Sequence, residues 1–419
     1  MKILLVHNTY QQPGGEDRVF EQERHMLEQA GNQVLAFTRS NFAAEQYGGF
    51  KRVQLVRNMI WASEPRAELQ RLLAREKPDV VHVHNTFMMI SPSIYSACKE
   101  AGVPVVQTLH NFRLLCPGAS FFRDGHVCEE CLQHTVWRGV QHGCYRGSRA
   151  ATAPIALMLD FHHRRKTWTS AVSCFIALSQ FARSRFVAGG LPAERILVKP
   201  NFVDPDPGPG PRERNYAVFV GRFAPIERMR TLLAAWERLQ NRVPLLIVGG
   251  GPERAEVEAE AQRRHLTSVQ FTGVLPSSQT IATIQAARFL ILPSEWYENF
   301  PVTIAEAFAC ETPVICSALG SMKEIVTDQV TGLHFRTADP VDLAEKAAFA
   351  WDNPVAMNEM GAAARREYLA RYTAAQNYSQ LLNIYERVAA LGPLTDPAGE
   401  TMAPETPRSP LVQLQGIHA

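Results

Sequence analysis

Seven residues separate two glutamates, Glu298 and Glu306, and this pair could bind the hydroxyl groups of a sugar or a ribose. An apolar run at 289–293 predicts a buried strand just before them. Pro301 suits the first turn of a following helix, which Pro313 ends. Glu298 is then expected in the strand-to-helix loop and Glu306 in the early turns of the helix. A helix N-terminus favours an anion such as a diphosphate. Two solvated glutamates that stabilise only the helix dipole are the alternative.

The elements that must position this pair form two successive series of strands and helices. A Pro/Gly-rich break at 204–214 separates the series. Two such series predict an α/β fold with two doubly wound domains, whose ligands bind beyond the carboxyl ends of the strands, in the cleft between the sheets. We predict a first domain at 1–200, a second domain at 201–372, a terminal helix at 373–391 and a disordered tail at 392–419. The predicted strands are 3–7, 34–38, 79–84, 103–108, 175–178, 196–199, 217–220, 244–248, 269–271, 289–292 and 314–316.

Three further positions follow predicted strands and could face that cleft. Gly14 and Gly15 would let the backbone approach a phosphate closely, or they form a plain turn. Their spacing is not G-x-G-x-x-G, so the dinucleotide fingerprint is missing. His110 could donate a hydrogen bond to a sugar hydroxyl, or it is a structural histidine. Arg222 suits bidentate phosphate binding, or it is a solvated charge.

Four cysteines fall within 116–144: Cys116, Cys128, Cys131 and Cys144. The middle two form a C-x2-C pair, and single cysteines flank it. Four thiolates in a short loop-rich insert predict a structural Zn²⁺ site. Free thiols or a disulfide are the alternatives, and a thioredoxin-like redox pair fits less well because no helix N-terminus pattern surrounds the pair.

Composition narrows the class of protein. The 419 residues exceed what one core usually supports, and the formal charge of +2, from 43 basic and 41 acidic residues, gives no general attraction to nucleic acid. The apolar start is too short for a signal peptide, and no run suits a membrane span, so we expect a cytoplasmic protein with reduced thiols. A basic run at 162–166, near Arg138, Arg146 and Arg149, suggests peripheral contact with the inner face of a membrane or with a phosphorylated acceptor; a solvated helix face is the alternative.

Together these motifs resemble the retaining family-4 glycosyltransferases of GT-B fold, over residues 1 to about 390. The resemblance is carried by the combination of segments rather than by any one of them. The four-cysteine insert also resembles one found in a bacterial branch of the family. The matching segments are Pro13-Gly14-Gly15-Glu16, His110, Pro200-Asn201-Phe202-Val203-Asp204, Gly221-Arg222, Gly249-Gly250-Gly251-Pro252-Glu253 and the E-x7-E stretch from Glu298 to Glu306.

The resemblance implies transfer of a sugar from a nucleotide-diphosphate sugar to a sugar or lipid-linked acceptor. It further implies retained configuration, no cofactor for catalysis, and a place in bacterial polysaccharide or glycoconjugate synthesis. Arg222, Gly14, Gly15 and the helix after Pro301 would hold the diphosphate, and Glu306 the ribose. Glu298, with the backbone at Asn299 and Phe300, would orient the donor sugar, and His110 would bind it near the anomeric carbon.

One departure from the family pattern lies after Arg222. The pattern G-R-L-x-x-E-K-G carries a lysine that contacts the diphosphate, and Glu227 stands where it is expected. Arg228 or Arg230 could substitute, Glu227 could point away, or the enzyme is impaired. The alternatives to a transferase are therefore a GT-B binding protein that has lost its chemistry, and a sugar-nucleotide epimerase.

Overall fold

A computed structural model describes residues 1–10, 14–44, 50–211, 213–223 and 227–394. The side chains at 43–44, 50–53 and 227 are not among those described. The substitution at Glu227 therefore lies outside the described side chains. Most of the tail that was predicted to be disordered, from 395 onwards, lies outside the described residues.

Two six-stranded parallel sheets organise the described chain, in the orders β2-β1-β3-β4-β7-β8 and β11-β10-β9-β12-β13-β14. A short antiparallel hairpin, β5-β6, stands apart from both. The strands are β1 (Lys2–Thr9), β2 (Gln33–Ser40), β3 (Val80–Val83), β4 (Val105–Leu109), β5 (Phe122–Arg123), β6 (His126–Val127), β7 (Cys174–Ala177), β8 (Ile196–Val198), β9 (Ala217–Arg222), β10 (Leu245–Gly250), β11 (Val269–Gly273), β12 (Phe289–Leu292), β13 (Val314–Ser317) and β14 (Gly332–Phe335).

Helices connect successive strands and cover the sheets. They are α1 (Gly15–Gln29), α2 (Phe50–Ile60), α3 (Ser63–Glu76), α4 (Ile94–Glu100), α5 (Glu130–Gln133), α6 (Arg138–His142), α7 (Arg149–Arg164), α8 (Thr167–Ala171), α9 (Gln180–Ala188), α10 (Glu227–Arg238), α11 (Arg254–Arg263), α12 (Ser277–Gln285), α13 (Val302–Ala309), α14 (Gly320–Ile325), α15 (Pro340–Asp352), α16 (Pro354–Arg371) and α17 (Ala374–Leu391).

The central strands are buried on both faces. The side chains of Ile3, Leu4, Leu5 and Val6 in β1 are all 0% exposed. Alternate residues of this strand enter two different clusters of apolar side chains, one on each side of the sheet. Such burial is why the strands read as continuous apolar runs rather than as alternating ones. The predicted fold, with two doubly wound α/β domains, is confirmed; the domain boundaries at 200 and 372 stay predictions.

Two local predictions need correction. Pro301 is the N-cap of α13 in an extended conformation, not a residue of its first turn. Helix α13 ends at Ala309, before Pro313, because Glu311 takes a left-handed conformation with φ of 57°. Strand β14 was not predicted, since its four residues include Gly332 and carry only a short apolar run.

The terminal helix α17 returns to the first sheet. The Tyr385 hydroxyl lies 2.7 Å from Nδ1 of His82 on β3. Asn377 donates to the carbonyl oxygen of Pro200 at 2.9 Å and accepts from Lys199 at 3.1 Å. The chain thus crosses between the two sheets twice, and this second crossing helps to fix the two walls of the cleft.

Candidate active site

The start of α1 and the end of β9 face each other across the cleft. Gly14 is the N-cap of α1, and its N–H donates to Oδ2 of Asp17 at 2.8 Å. The Nη2 atom of Arg222 lies 3.6 Å from the point where a Cβ on Gly14 would sit, so the guanidinium is within van der Waals range of the α1 N-cap. A Cβ on Gly15 would meet nothing within 4 Å. The positive end of α1 and a guanidinium therefore converge on one place, as an anion site requires.

Arg228 is a second cation beside Arg222. Its side chain is buried in the first turn of α10, and its Nη2 donates to the carbonyl oxygen of Arg222. Burial lowers the pKa of Arg228 to about 10, against the opposing effect of the Glu298 charge. By contrast, Arg230 is exposed and pairs with Glu256 at 2.8 Å. Of the two candidate substitutes for the expected lysine, only Arg228 reaches the site.

Glu298 is held by serines on two sides. Ser294 donates to its Oε1 at 2.8 Å, and Ser321 donates to its main-chain oxygen at 2.6 Å. Burial raises the pKa of Glu298, and the Arg228 charge opposes that rise. The carboxylate is thus oriented before any ligand arrives.

Asn299 spans the cleft. Its side-chain amide donates to the carbonyl oxygen of Leu109, next to His110, at 2.5 Å. Its main-chain oxygen accepts from Ser179 of the first domain at 3.2 Å. Its Oδ1 is buried and has no hydrogen-bond partner in the described structure. The Phe300 side chain packs against Tyr372, with ring centroids 5.6 Å apart, so only its backbone can serve a ligand.

Glu306 meets the first domain directly. Its side chain is 5% exposed, and its Oε1 lies 2.6 Å from Nη1 of Arg18 on α1. The contact is an ion pair without hydrogen-bond geometry, since that oxygen has no hydrogen-bond partner in the described structure. The two carboxylates of the E-x7-E stretch therefore differ: Glu298 faces the Arg228 side and Glu306 faces α1.

His110 ends a buried polar chain. Its Nε2 lies 3.0 Å from Nδ1 of His84, and Nε2 of His84 lies 3.5 Å from Oε2 of Glu23. The Glu23 carboxylate in turn accepts from Lys199 at 2.6 Å. Burial lowers the pKa of His110 to about 3. The ring is therefore neutral at physiological pH and can act as a hydrogen-bonding group but not as a cation.

Glu23, His82 and His84 place their ligand atoms within 4.8 Å of one another, as a metal centre would. Their hydrogen bonds argue against one. Lys199 already neutralises Glu23, and the two ring nitrogens of His82 lie 2.7 Å from the Tyr385 hydroxyl and 2.8 Å from the Thr108 hydroxyl. This cluster is a buried polar network that supports His110 from behind; in it, Nε2 of His84 and Oε2 of Glu23 lie 3.5 Å apart and have no hydrogen-bond partner among the described residues.

The sequence did not single out Glu16 and Asn111 as site residues. The Asn111 amide donates to Oε2 of Glu16 at 3.1 Å, and both line a cavity that also reaches His84, His110 and Arg113. Burial raises the pKa of Glu16 to about 8, and the Asp17 charge adds to the rise. Glu16 directly follows Gly15, so its position in the glycine loop was a signal; its pairing with Asn111 becomes visible only in the fold.

The four cysteines all lie in the insert, and none forms a disulfide.

The prediction that the basic run at 162–166 is available for contact is partly wrong, because His162 is 0% exposed and its ring lies 2.8 Å from the carbonyl oxygen of Ile60. Its pKa falls to about 4 through burial. Each helix of the described ranges is too short or too polar to cross a membrane. Cytoplasmic location and membrane contact stay predictions.

Two family models match consecutive parts of the chain. Residues 13–207 match "Glycosyltransferase Family 4", and residues 204–367 match "Glycosyl transferases group 1". The chain belongs to the group 1, family-4 glycosyltransferases. Together the two matches cover residues 13–367, which include every strand of both sheets except β1, and the glycosyltransferase resemblance drawn from the motifs is confirmed.

Similar proteins agree with this membership. The O-antigen chain mannosyltransferase C of Escherichia coli is 34% identical over 173 residues, which cover 41% of this chain and 46% of that protein. The chain thus matches about half the length of that relative. The alpha-maltose-1-phosphate synthase of Mycolicibacterium smegmatis is 26% identical over 354 residues, covering 77% and 83% of the two chains.

Solved structures confirm the GT-B architecture. Anabaena HepE, solved in complex with UDP, has a TM-score of 0.67 at 17% identity and covers 92% of this chain and 100% of its own. The sucrose-phosphate synthase of Thermosynechococcus elongatus has a TM-score of 0.69 at 18% identity, covering 93% and 99%. At these identities the likeness shows the fold alone.

Proposed function

We propose that this glycosyltransferase moves a sugar from a nucleotide-diphosphate sugar to an acceptor hydroxyl, with retention, in the synthesis of a bacterial polysaccharide or glycoconjugate. The observation that carries the proposal is the convergence of Arg222, Arg228 and the α1 N-terminus on one side of the E-x7-E carboxylates. Two guanidinium groups and a helix N-terminus suit a diphosphate, and the neighbouring carboxylates suit hydroxyl groups.

The donor diphosphate lies between Gly14, Gly15, Arg222, Arg228 and the start of α13 in this proposal. Glu306 gives up its ion pair with Arg18 when the donor binds, and it then accepts hydrogen bonds from the ribose hydroxyls. Glu298 and the backbone at Asn299 and Phe300 bind the donor sugar. The neutral ring of His110 binds the same sugar from the opposite wall. The solved HepE complexes with UDP, and with UDP and glucose, support a nucleotide-sugar donor.

Catalysis rests on positioning and on charge stabilisation rather than on a protein nucleophile. Bond breaking at the anomeric carbon places negative charge on the leaving diphosphate, beside Arg222 and beside Arg228, whose guanidinium is already held by the Arg222 carbonyl oxygen. Because the Arg228 guanidinium is fixed before the reaction, it needs little reorganisation as charge develops. The acceptor hydroxyl attacks from the same face that the diphosphate leaves and passes its proton to the departing diphosphate oxygen, so the configuration is retained. No cofactor takes part in this scheme.

Arg228 favours an active enzyme over a binding protein that has lost its chemistry. Four residues, 223–226, lie between Arg222 and the Glu-Arg pair, whereas the family pattern has three before its Glu-Lys pair. One extra residue in the sequence therefore aligns Arg228 with the expected lysine, and the burial of Arg228 beside Trp296, 4.6 Å from the ring centroid, agrees with that alignment. An epimerase finds less support, because Glu298 is committed to Ser294 and His110 to His84.

The acceptor side is the wall built by Glu16, His110 and Asn111. A second pocket lies beside it and shares Met59 and Phe87 with the cavity; it is lined mostly by apolar side chains and by Arg146. Apolar walls with a guanidinium suit the chain and the phosphate of a lipid-linked acceptor.

A donor screen tests the proposal. The purified protein is mixed with UDP-, GDP-, ADP- and dTDP-sugars, and both melting temperature and nucleoside diphosphate release are followed. One donor class should raise the melting temperature. Release should increase when acceptor lipids or oligosaccharides are added, which also separates transfer from epimerisation. A protein that neither binds nor turns over any of these donors would contradict the proposal.

A further inference from the structure

Trp296 lies where three parts of the cleft meet. It belongs to the donor loop, residues 294–298, and its side chain is half-buried. The guanidinium carbon of Arg228 lies 4.6 Å from the centroid of its ring, within the range of a cation–π contact. Phe122, from the hairpin β5-β6, meets the same indole edge to face with centroids 5.9 Å apart. One ring of the second domain therefore touches a proposed diphosphate-binding cation and a side chain of the opposite domain.

The same indole reaches Glu298. A hydrogen bond joins the Trp296 side chain to the Glu298 carboxylate, and because an indole N–H can only donate, the carboxylate is the acceptor. Burial raises the pKa of Glu298, and the Arg228 charge and the hydrogen bonds to the carboxylate oppose that rise. The indole thus contacts both of the groups that the proposed function assigns to the donor, the cation for the diphosphate and the carboxylate for the sugar.

Core packing does not explain this indole. Four clusters of apolar side chains form the core of the described chain, and neither Trp296 nor Phe122 belongs to any of them or packs against one. Their chain neighbours differ, since Phe121 is 1% exposed inside the cluster of the first domain and Tyr297 packs against that cluster. Phe121 and Tyr297 also meet each other, with centroids 6.3 Å apart. Of the two neighbouring ring pairs, only this second one serves the core.

The hairpin β5-β6 is held by the first domain. Cys116, Phe121 and Val136 of the insert are buried in the apolar cluster of that domain. Among the described residues, no three thiols of the insert place their Sγ atoms within 4.8 Å of one another, so the predicted zinc site gains no support. Apolar packing accounts for the place of the hairpin. Because the hairpin belongs to the first domain, its contact with the donor loop depends on how close the two domains lie.

Arg228 depends on aromatic rings for its orientation. Only 4% of the residue is exposed, and its Nε has no hydrogen-bond partner in the described structure. Its Nη2 donates to the Arg222 carbonyl oxygen, and its guanidinium carbon lies 5.3 Å from the centroid of the Phe219 ring. A buried guanidinium with few hydrogen bonds is oriented largely by the aromatic faces on which it lies. Loss of the Trp296 ring would therefore keep the charge and remove part of what fixes its direction.

We propose that Trp296 is a positioning residue for sugar transfer, which directs Arg228 towards the leaving diphosphate and Glu298 towards the donor sugar. Phe122 holds the indole from the opposite domain, so the donor site is complete only while the two domains lie as close as they do here. This role rests on the function proposed above. Wider separation of the domains removes Phe122 from the indole, and both donor-binding groups then lose part of their support, which favours release of the nucleoside diphosphate.

Kinetics of two substitutions test the role of the indole. Trp296→Leu should lower kcat about tenfold or more, as expected when a desolvated cation loses its aromatic partner, with a smaller change in the KM for the donor. Trp296→Phe keeps a ring face and should recover part of that loss. Trp137→Leu is the matched control, because it removes another partly exposed indole, 38% exposed, from the insert. Equal kcat values for Trp296→Leu and wild type would overturn the proposal.

A double-mutant cycle separates positioning from a general structural effect. If Trp296 acts largely through Arg228, then Trp296→Leu should lower kcat much less in protein that already carries Arg228→Ala than in wild type. An indole that only stabilises the fold would cause the same fractional loss in both backgrounds, and that result would overturn the proposal. Melting temperatures of all four proteins show whether each is folded under the conditions of the assay.

Phe122→Ala tests the contact between the domains. It should lower kcat about threefold or more, the size of effect expected for one aromatic pair, and it should add little in the Trp296→Leu background. If Trp296→Leu does not fold, the same cycle is measured with Phe122→Ala and Trp296→Phe. An unchanged kcat in Phe122→Ala would refute the role of the first domain. Wild-type protein that releases no nucleoside diphosphate from any donor would instead refute the proposed function, and the role of Trp296 with it.

Discussion

Arg18 and Glu306 join the two domains across the cleft, with Nη1 and Oε1 2.6 Å apart. Arg18 comes from α1, whose N-terminus faces Arg222, and Glu306 comes from the helix that follows the donor loop. The same carboxylate is proposed to bind the donor ribose. Donor entry then replaces a contact between the domains with a contact to the nucleotide, so this pair links cleft geometry to donor occupancy.

Glu306→Gln should weaken donor binding. A hydrogen bond to a charged group contributes about 1.5–3 kcal/mol, so the KM should rise about tenfold to a hundredfold while kcat changes less. Initial rates across a range of donor concentrations measure both constants. Arg18→Gln is the matched control, since it breaks the same ion pair and leaves the carboxylate in place. Equal losses in the two variants would mean that Glu306 serves only the contact between domains.

Arg228→Ala should lower kcat about a hundredfold or more, because the leaving diphosphate would lose a buried cation. Arg228→Lys should recover part of that loss, since a lysine restores the charge but not the fork of donors. Arg230→Ala is the control, as that arginine is exposed and bound to Glu256. Steady-state kinetics of the three variants measure these changes in kcat. Equal effects at positions 228 and 230 would refute the assignment of Arg228 to the diphosphate.

The buried histidines should make the protein sensitive to acid. Burial lowers the pKa of His82, His84 and His110, so these rings stay neutral in the folded chain. The unfolded chain binds protons near its ordinary pKa of about 6.5. Stability from these groups is present above that pH and is lost as the pH falls below it, by up to ~1.4 kcal/mol per pH unit for each ring.

Urea denaturation between pH 7.5 and 4.5 measures this loss. The free energy of unfolding of His110→Asn should fall less steeply than that of wild type. His25→Asn is the control, since that histidine lies on the exposed part of α1. An unchanged slope in His110→Asn would contradict the buried neutral state of the ring.

Glu16→Gln should stabilise the protein at alkaline pH. The pKa of Glu16 rises from 4.5 to about 8 through burial, so its neutral form is favoured in the fold. That stability is full below about pH 4.5 and is lost as the pH rises through about 8. The variant should therefore melt higher than wild type at pH 9 but not at pH 5. Glu21→Gln, whose side chain is 65% exposed, should melt like wild type at both; an equal melting temperature for Glu16→Gln and wild type at pH 9 would contradict the shifted pKa.

The strands along the chain and the general place of the site could be predicted from local patterns, whereas the order of the strands within each sheet was not predicted. Apolar runs gave the strands of both sheets except β14, and residues at strand ends, such as Arg222, fell in the cleft by topology. The network behind His110 could not be predicted, because Glu23, His84 and Lys199 come from distant parts of the chain. The sequence named both Arg228 and Arg230 as substitutes for the expected lysine, and only the fold separates them, because Arg228 is buried and Arg230 is exposed.

The most direct test of the central claim is donor turnover by wild type and by Arg228→Ala, read as nucleoside diphosphate release with and without acceptor. The claim predicts release from one class of nucleotide sugar, acceleration by acceptor, and a loss of about a hundredfold or more in the variant. NMR of the product should show the anomeric configuration of the donor. Release that is the same in both proteins, or absent from wild type with every donor and acceptor tried, would contradict it.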